Sequence, residues 1–272
     1  MKRGSFWGWF WIALGALYFL LPLLGTLDFS LRMLRGRLSL EAYKRVFDDP
    51  QFVETFVFSN QMAVLTIFAS LLLVVPTAYW VHLRLPRLRP LIEFITLLPF
   101  VVPAIVLVFG IIKIYGRPLT LLTVQVVPPL TNSVWSTNAL LVAGYVVLSL
   151  PYMYRAVDTG LRAMDVRTLT EAAQSLGASW PTIVWNVIFP NLRTALLSGA
   201  LLTFAIVVGE LTLANFLDRP AFGPYLWLLG QHRAYEPAAL SIVSFMLTWG
   251  AMIIIQFVSR GAPGQGQVAG AH

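Results

Sequence analysis

Six long runs of apolar residues constrain this chain more than anything else in it. They lie at about 6–24, 56–81, 91–114, 138–154, 195–217 and 238–258, and four of the six contain no charged side chain at all. A bilayer core about 30 Å thick takes roughly 20 apolar residues per helical crossing. Lipid offers no partner to a bare backbone N–H or C=O, so only helices and closed barrels can span it. Barrel strands alternate apolar and polar residues over about 10 positions, whereas these runs are continuous. The expectation is an all-α integral membrane protein of six spans, a single domain over 1–260. The composition agrees: 58% of residues are hydrophobic and 11% charged, where a soluble domain has about a quarter charged.

The run from Phe6 to Leu24 follows Lys2 and Arg3, as a secretory signal would. It is longer than a signal core, and no small-x-small cleavage site follows it, so it reads as a retained first helix. Pro76 inside the second run predicts a kink near its end. Between the first two runs, Leu40, Tyr43, Val46 and Phe47 recur at helical spacing with charges between them, which predicts a short interfacial helix. Gly116 to Asn132, rich in Pro, Thr and Asn, reads as loop with at most a short surface helix. The Gly-rich 261–272 reads as a disordered tail.

The net charge of +7 fits cytoplasmic loops facing anionic lipid. The basic residues are scattered rather than striped with aromatics, which excludes a nucleic-acid partner. The compact Arg84, Arg87, Arg89 group between the second and third runs marks the inside and places the N-terminus in the cytoplasm. With no cysteine in the chain, disulfides, thiolate metal sites and thiol nucleophiles drop out together.

The polar stretch 155–192 carries two apolar stripes. Leu169, Ala172, Ala173 and Leu176 form the first, and Trp180, Ile183, Val184, Val187 and Ile188 the second. Thr168 and Glu171 have capping-box spacing. Gly177 can end the first short helix, Ser179 can cap a second containing Pro181, and Pro190 should end that one. The residues alone predict helix, glycine turn, helix. They leave two readings open: a docking hairpin with a thin tip of Ala172, Ala173, Gly177 and Ala178, or a plain inter-helix loop.

The segment EAAQSLGASWPTIVWNVIFP resembles the EAA loop of permease subunits of ATP-binding cassette importers. Glu171, Ala172, Ala173, Gly177 and Pro190 match its pattern directly, and Val187 and Phe189 are apolar replacements for Ile and Leu. The resemblance extends over roughly 50–258. It implies a type I importer permease (MetI-like) fold, multi-pass in the bacterial plasma (inner) membrane, with 155–192 as a cytoplasmic coupling helix-turn-helix. On that implication Glu171, Ala172, Ala173, Leu176, Gly177, Ala178 and Trp180 meet a cytoplasmic ATPase dimer. A second permease, in a heterodimer, and an extracytoplasmic substrate-binding protein complete the assembly. No Walker lysine motif occurs in the chain, so ATP and Mg belong to the partner ATPase and this chain carries no cofactor, metal or catalytic residue.

Glu210 interrupts the apolar stretch Leu201 to Leu213, and an acid at that depth is a functional candidate by default. It either lines a translocation pathway for a cationic or hydrogen-bonding solute or serves as a structural carboxylate. Val208-Gly209-Glu210-Leu211 resembles a glycine-acid element of the polyamine, iron and oxyanion branches of these permeases. That resemblance favours a polyamine (spermidine or putrescine) or other small organic cation, with ferric iron, thiamine or a phosphonate as alternatives. A membrane-embedded enzyme would need clustered carboxylates, histidines or a nucleophile within the spans, and a secondary transporter would show inverted repeats. Neither pattern is evident.

Overall fold

The structure is a computed structural model that describes residues 6–34, 36–121 and 124–260. The expected tail, 261–272, lies outside the described residues. Long helices dominate because the apolar runs can satisfy their backbone only internally. The chain divides into two compact units. One comprises residues up to 54 together with 225–251, and the other comprises 55–224 with the described part of 252–272.

In the first unit lie α1 (Phe6–Leu31), α2 (Glu41–Phe47) and most of α12 (Tyr235–Arg260). Side chains along α1 such as Trp9 and Phe19 are exposed, as a helix bathed in lipid requires. The far end of α1 is tied down: the Ser30 and Tyr43 hydroxyls lie 2.7 Å apart, and Phe29 stacks on Tyr235 at 4.8 Å. The short interfacial helix is present as α2, but its inward face is Ala42 and Val46, with Leu40 and Phe47 exposed. Buried Glu236 sits between Arg45 at 3.9 Å and Arg233 at 3.7 Å. The Tyr225 hydroxyl donates to Asp49; burial first, and then that bond, push its pKa well above the usual range.

The second unit contains most of α3 (Pro50–Arg84), then α4 (Arg89–Val101), α5 (Ala104–Tyr115), the strands β1 (Leu119–Leu121) and β2 (Val124–Val127), and α6 (Val134–Arg162). After these come α7 (Val166–Ser175), α8 (Trp180–Ile183), α9 (Phe189–Gly209) and α10 (Thr212–Phe216), while α11 (Phe222–His232) runs from this unit into the first. Its core joins Val75 and Tyr79 of α3, Met153, Val157 and Leu161 of α6, Val166, Ile183, Ile188 just before α9, and Leu192 and Leu196 of α9. Small residues let α6 and α9 approach closely, as the notch at Gly199 against Met153 and Ala156 shows.

Among the described residues, four helical stretches are long and apolar enough to cross a membrane: Trp7–Leu31, Pro50–Arg84, Val134–Arg162 and Trp180–Gly209. Each runs past its apolar run into polar sequence, and α3 continues through Pro76. The segment expected as one helix at 91–114 is instead two, bent by 99°. Val102, pushed to an extended ψ of 114° by the proline that follows it, ends α4, and Pro103 starts α5. The fifth expected helix, 195–217, is also broken, at Glu210. The stretch expected as loop at 116–132 holds the antiparallel pair β1–β2, with Leu119 opposite Val127.

Candidate functional site

The polar stretch after α6 folds as a helical hairpin. Asp165, not Thr168, caps α7: its carboxylate accepts from the Thr168 N–H at 3.1 Å and from the Thr168 hydroxyl at 2.7 Å. Those bonds, the hydroxyl one foremost, hold the Asp165 carboxyl below its ordinary pKa. The spacing that suggested a capping box therefore serves a helix starting one turn earlier, and Glu171 pairs forward of the cap with Arg167 at 2.8 Å.

Gly177 ends α7 at φ +80°. Its N–H bonds to the Gln174 carbonyl at 2.9 Å, and the Ala178 N–H reaches Ala173 at 3.0 Å. Together these make a Schellman turn, which needs a residue free to adopt the left-handed conformation. Ser179 then stands at the N-cap of α8 with Pro181 in the first turn. The expectation that Pro190 ends this helix fails. The chain passes through a π-turn at 184–188, where the Phe189 N–H bonds back to Val184, and continues as α9. The wider turn absorbs the N–H that proline lacks, and the Asn191 amide caps the Val187 carbonyl at 2.7 Å.

The inward face of α7 is Val166, Thr170 and Ala173 rather than the stripe ending at Leu176, which is 88% exposed. The Thr170 and Tyr79 hydroxyls lie 3.0 Å apart, and Tyr79 meets the Trp180 ring edge to face at 6.4 Å. Ala173 and Ala178 pack against the core. Glu171, Ala172, Leu176 and Gly177 remain exposed along the tip.

Sequence reasoning missed the charge knot beneath this hairpin. Asp158, buried near the end of α6, accepts from Arg89 at 3.1 and 3.3 Å and lies 2.7 Å from Arg162. Glu93 bridges the same two guanidiniums at 3.1 and 2.6 Å. His82 Nε2 stands 3.4 Å from Asp158, while its Nδ1 lies 3.0 Å from the Ala78 carbonyl. The knot fastens the end of α3 and the start of α4 to α6. Asp158 lies between Arg155 and Arg162 in the stretch read as polar, so the local pattern did not single it out.

Glu210 sits apart from the hairpin, at the other end of α9. Its backbone turns extended, ψ 127°, and its two carboxylate oxygens accept the N–H groups of Thr212, Leu213 and Ala214 at 2.7–3.4 Å. The carboxylate thus supplies the acceptors that the N–H groups at the new α10 N-terminus would lack. Gly223 closes against the break, where a methyl group would meet the Glu210 carbonyl. Among the described residues, no group of His, Asp and Glu is disposed to hold a metal ion.

A family model described as "Binding-protein-dependent transport system inner membrane component" matches residues 74–261. The spermidine/putrescine transport system permease protein PotB of Haemophilus influenzae is 26% identical over 183 residues, 66% of this chain and 63% of that protein. PotC of the same organism is 28% identical over 145 residues, 52% of this chain and 54% of that protein. The chain thus spans less than two thirds of the length of these relatives. A bacterial alginate ABC transporter, solved in complex with an alginate-bound periplasmic protein, shares the fold. Its TM-score is 0.65 at 13% identity, covering 92% of each chain. Because the family model takes in well over half of the residues, from within α3 to the end of α12, the chain belongs to the binding-protein-dependent transport system inner membrane components, a transport component of the membrane and not an enzyme.

Proposed function

We propose that this chain is a permease subunit of an ATP-driven importer, forming half of a solute pathway and coupled to a cytoplasmic ATPase dimer through the α7–α8 hairpin. The observation that carries the reading is an exposed tip on a base packed against the core. Glu171, Ala172, Leu176 and Gly177 offer the contact surface, while Ala173, Ala178 and Trp180 pin it to the core. The ATP and Mg are the ATPase's. Trp180–Gly209 is helical throughout, so movement of the tip reaches Glu210 through one element. ATP binding then acts as a population shift between inward- and outward-open states.

In this reading the loop side, and with it the N-terminus, is cytoplasmic. A second permease completes the pathway, and an extracytoplasmic binding protein delivers solute. The PotB and PotC relatives support a polyamine cargo. Glu210 shapes the pathway by fixing the break in its lining helix, with its charge largely engaged by α10.

The test is uptake in proteoliposomes holding the whole transporter. Glu171→Lys reverses a charge that is 61% exposed and whose pairing with Arg167 is a surface i,i+4 contact of small worth to stability. Uptake should fall at least about tenfold while assembly is retained, and unchanged uptake would refute the coupling role. Binding of spermidine and putrescine to the partner binding protein checks the cargo. Selective binding of iron, thiamine or a phosphonate instead would overturn it.

A further inference from the structure

A groove of about 340 Å³ opens beside the hairpin, and its volume falls at the lower end of ordinary ligand pockets. Phe68, Leu72 and Pro76 of α3 form one wall, and Trp185, Ile188 and Phe189 at the π-turn form the other. The one hydroxyl in its lining, that of Tyr79, is already engaged with Thr170. Phe68, Leu72 and Trp185 are each about 60% exposed. Both walls belong to stretches able to cross the membrane, so acyl chains are the solvent that meets them.

The row Leu72, Pro76, Trp80, Arg84 advances by four residues along α3, neighbours in the row lying one above the other and each step winding about 40° around the helix. Arg84 therefore stands about 12 Å beyond the floor of the groove at Pro76, past the Trp80–Trp180 pair, whose rings are 6.1 Å apart. Arg84 and the following Arg87 are exposed, and among the described residues neither has a carboxylate partner, in contrast to Arg89 with Asp158 and Glu93. Apolar groove, tryptophan pair and free guanidiniums follow one another in the order of the parts of a phospholipid: acyl chain, interface and phosphate.

We propose that this groove is a binding site for an anionic phospholipid of the leaflet on the hairpin side, with one acyl chain against the π-turn and its phosphate at Arg84 and Arg87. The inference rests on the membrane embedding of α3 and α9 and not on the cargo or the ATPase. Near an anionic surface each arginine contributes roughly fivefold, so about thirtyfold together. A lipid held there braces the one non-α turn between the hairpin tip and α9.

The full chain in phosphatidylcholine nanodiscs tests this, with brominated-acyl phosphatidylglycerol or brominated-acyl phosphatidylcholine added at matched mole fractions. The part of the tryptophan quenching that Trp185→Phe removes should reach half-maximum at a mole fraction about thirtyfold lower for phosphatidylglycerol. Arg84→Gln/Arg87→Gln should abolish the difference, and Arg84→Lys/Arg87→Lys should keep most of it, each with unchanged far-UV circular dichroism. Equal quenching by the two lipids, or a preference that survives the glutamine pair, would overturn the proposal. Neither result bears on ATP-driven uptake, so this site and the transport reading can fail separately.

Discussion

Replacing Asp158 by alanine tests whether the charge knot holds the start of α4 and the end of α6 together. The carboxylate is 5% exposed and faces two guanidiniums, of Arg89 and Arg162, whose side chains are 28% and 52% exposed. Removing one member of a fully buried pair costs about 3–5 kcal/mol. Here Arg162 can recover hydration, and Glu93 still bridges both arginines, so the cost should be near 2 kcal/mol. That corresponds to about 30-fold in an opening equilibrium, and to a melting temperature lower by about 4–8 °C for a chain of this size.

Hydrogen exchange on the purified chain in nanodiscs should show the acceleration in 89–101 and 155–162, with α12 unaffected. Asp158→Asn keeps the shape and one acceptor and should lose about half as much. An Asp158→Ala chain that melts within about 1 °C of the parent, with unchanged exchange in α4, would refute the claim that the knot bears on stability.

Gly223→Ala places a methyl group on the Glu210 carbonyl and should cost about 1–3 kcal/mol as the helix break shifts, read as faster exchange at 210–216; no change there would show that the contact is soft. The Asp165 cap has its own pH signature. Its folded carboxyl lies below the ordinary value of 3.8, so its contribution is present at neutral pH and fades as pH drops through and below that value. Exchange protection of α7, corrected for intrinsic rates, should stay level from pH 7 to about 5 and decline only under more acid conditions; an earlier decline would point to another titrating group.

What the sequence made legible follows the range of the forces involved. Apolar runs announce spans because lipid imposes a local rule on every residue, and Gly177 announces its turn because the left-handed backbone is a property of one position. The break at Val102 was written in Pro103, yet an apolar stretch of the right total length concealed it. Partners distant in sequence were hidden: Arg89 and Asp158 are separated by 69 residues, and Tyr79 and Thr170 by 91, so no periodicity brings them together. Glu210 stood out as an acid in an apolar stretch, but its use as a cap depends on a break that its neighbours do not signal.

The π-turn carries an arithmetic consequence. One surplus residue in a regular α-helix would turn everything after it by about 100°, but the bond from the Phe189 N–H back to Val184 takes that residue up within a single wide turn. The face of α9 that meets α6, with Leu192, Leu196, Gly199 and Thr203 buried, therefore depends on how the turn between Val184 and Phe189 is closed as much as on its own side chains. Keeping all of those residues but closing them with ordinary α-helical bonds would leave every apolar side chain of α9 in place in the sequence and turn its notch at Gly199 away from α6. The phase of the helix, and not its composition, is what that short turn encodes.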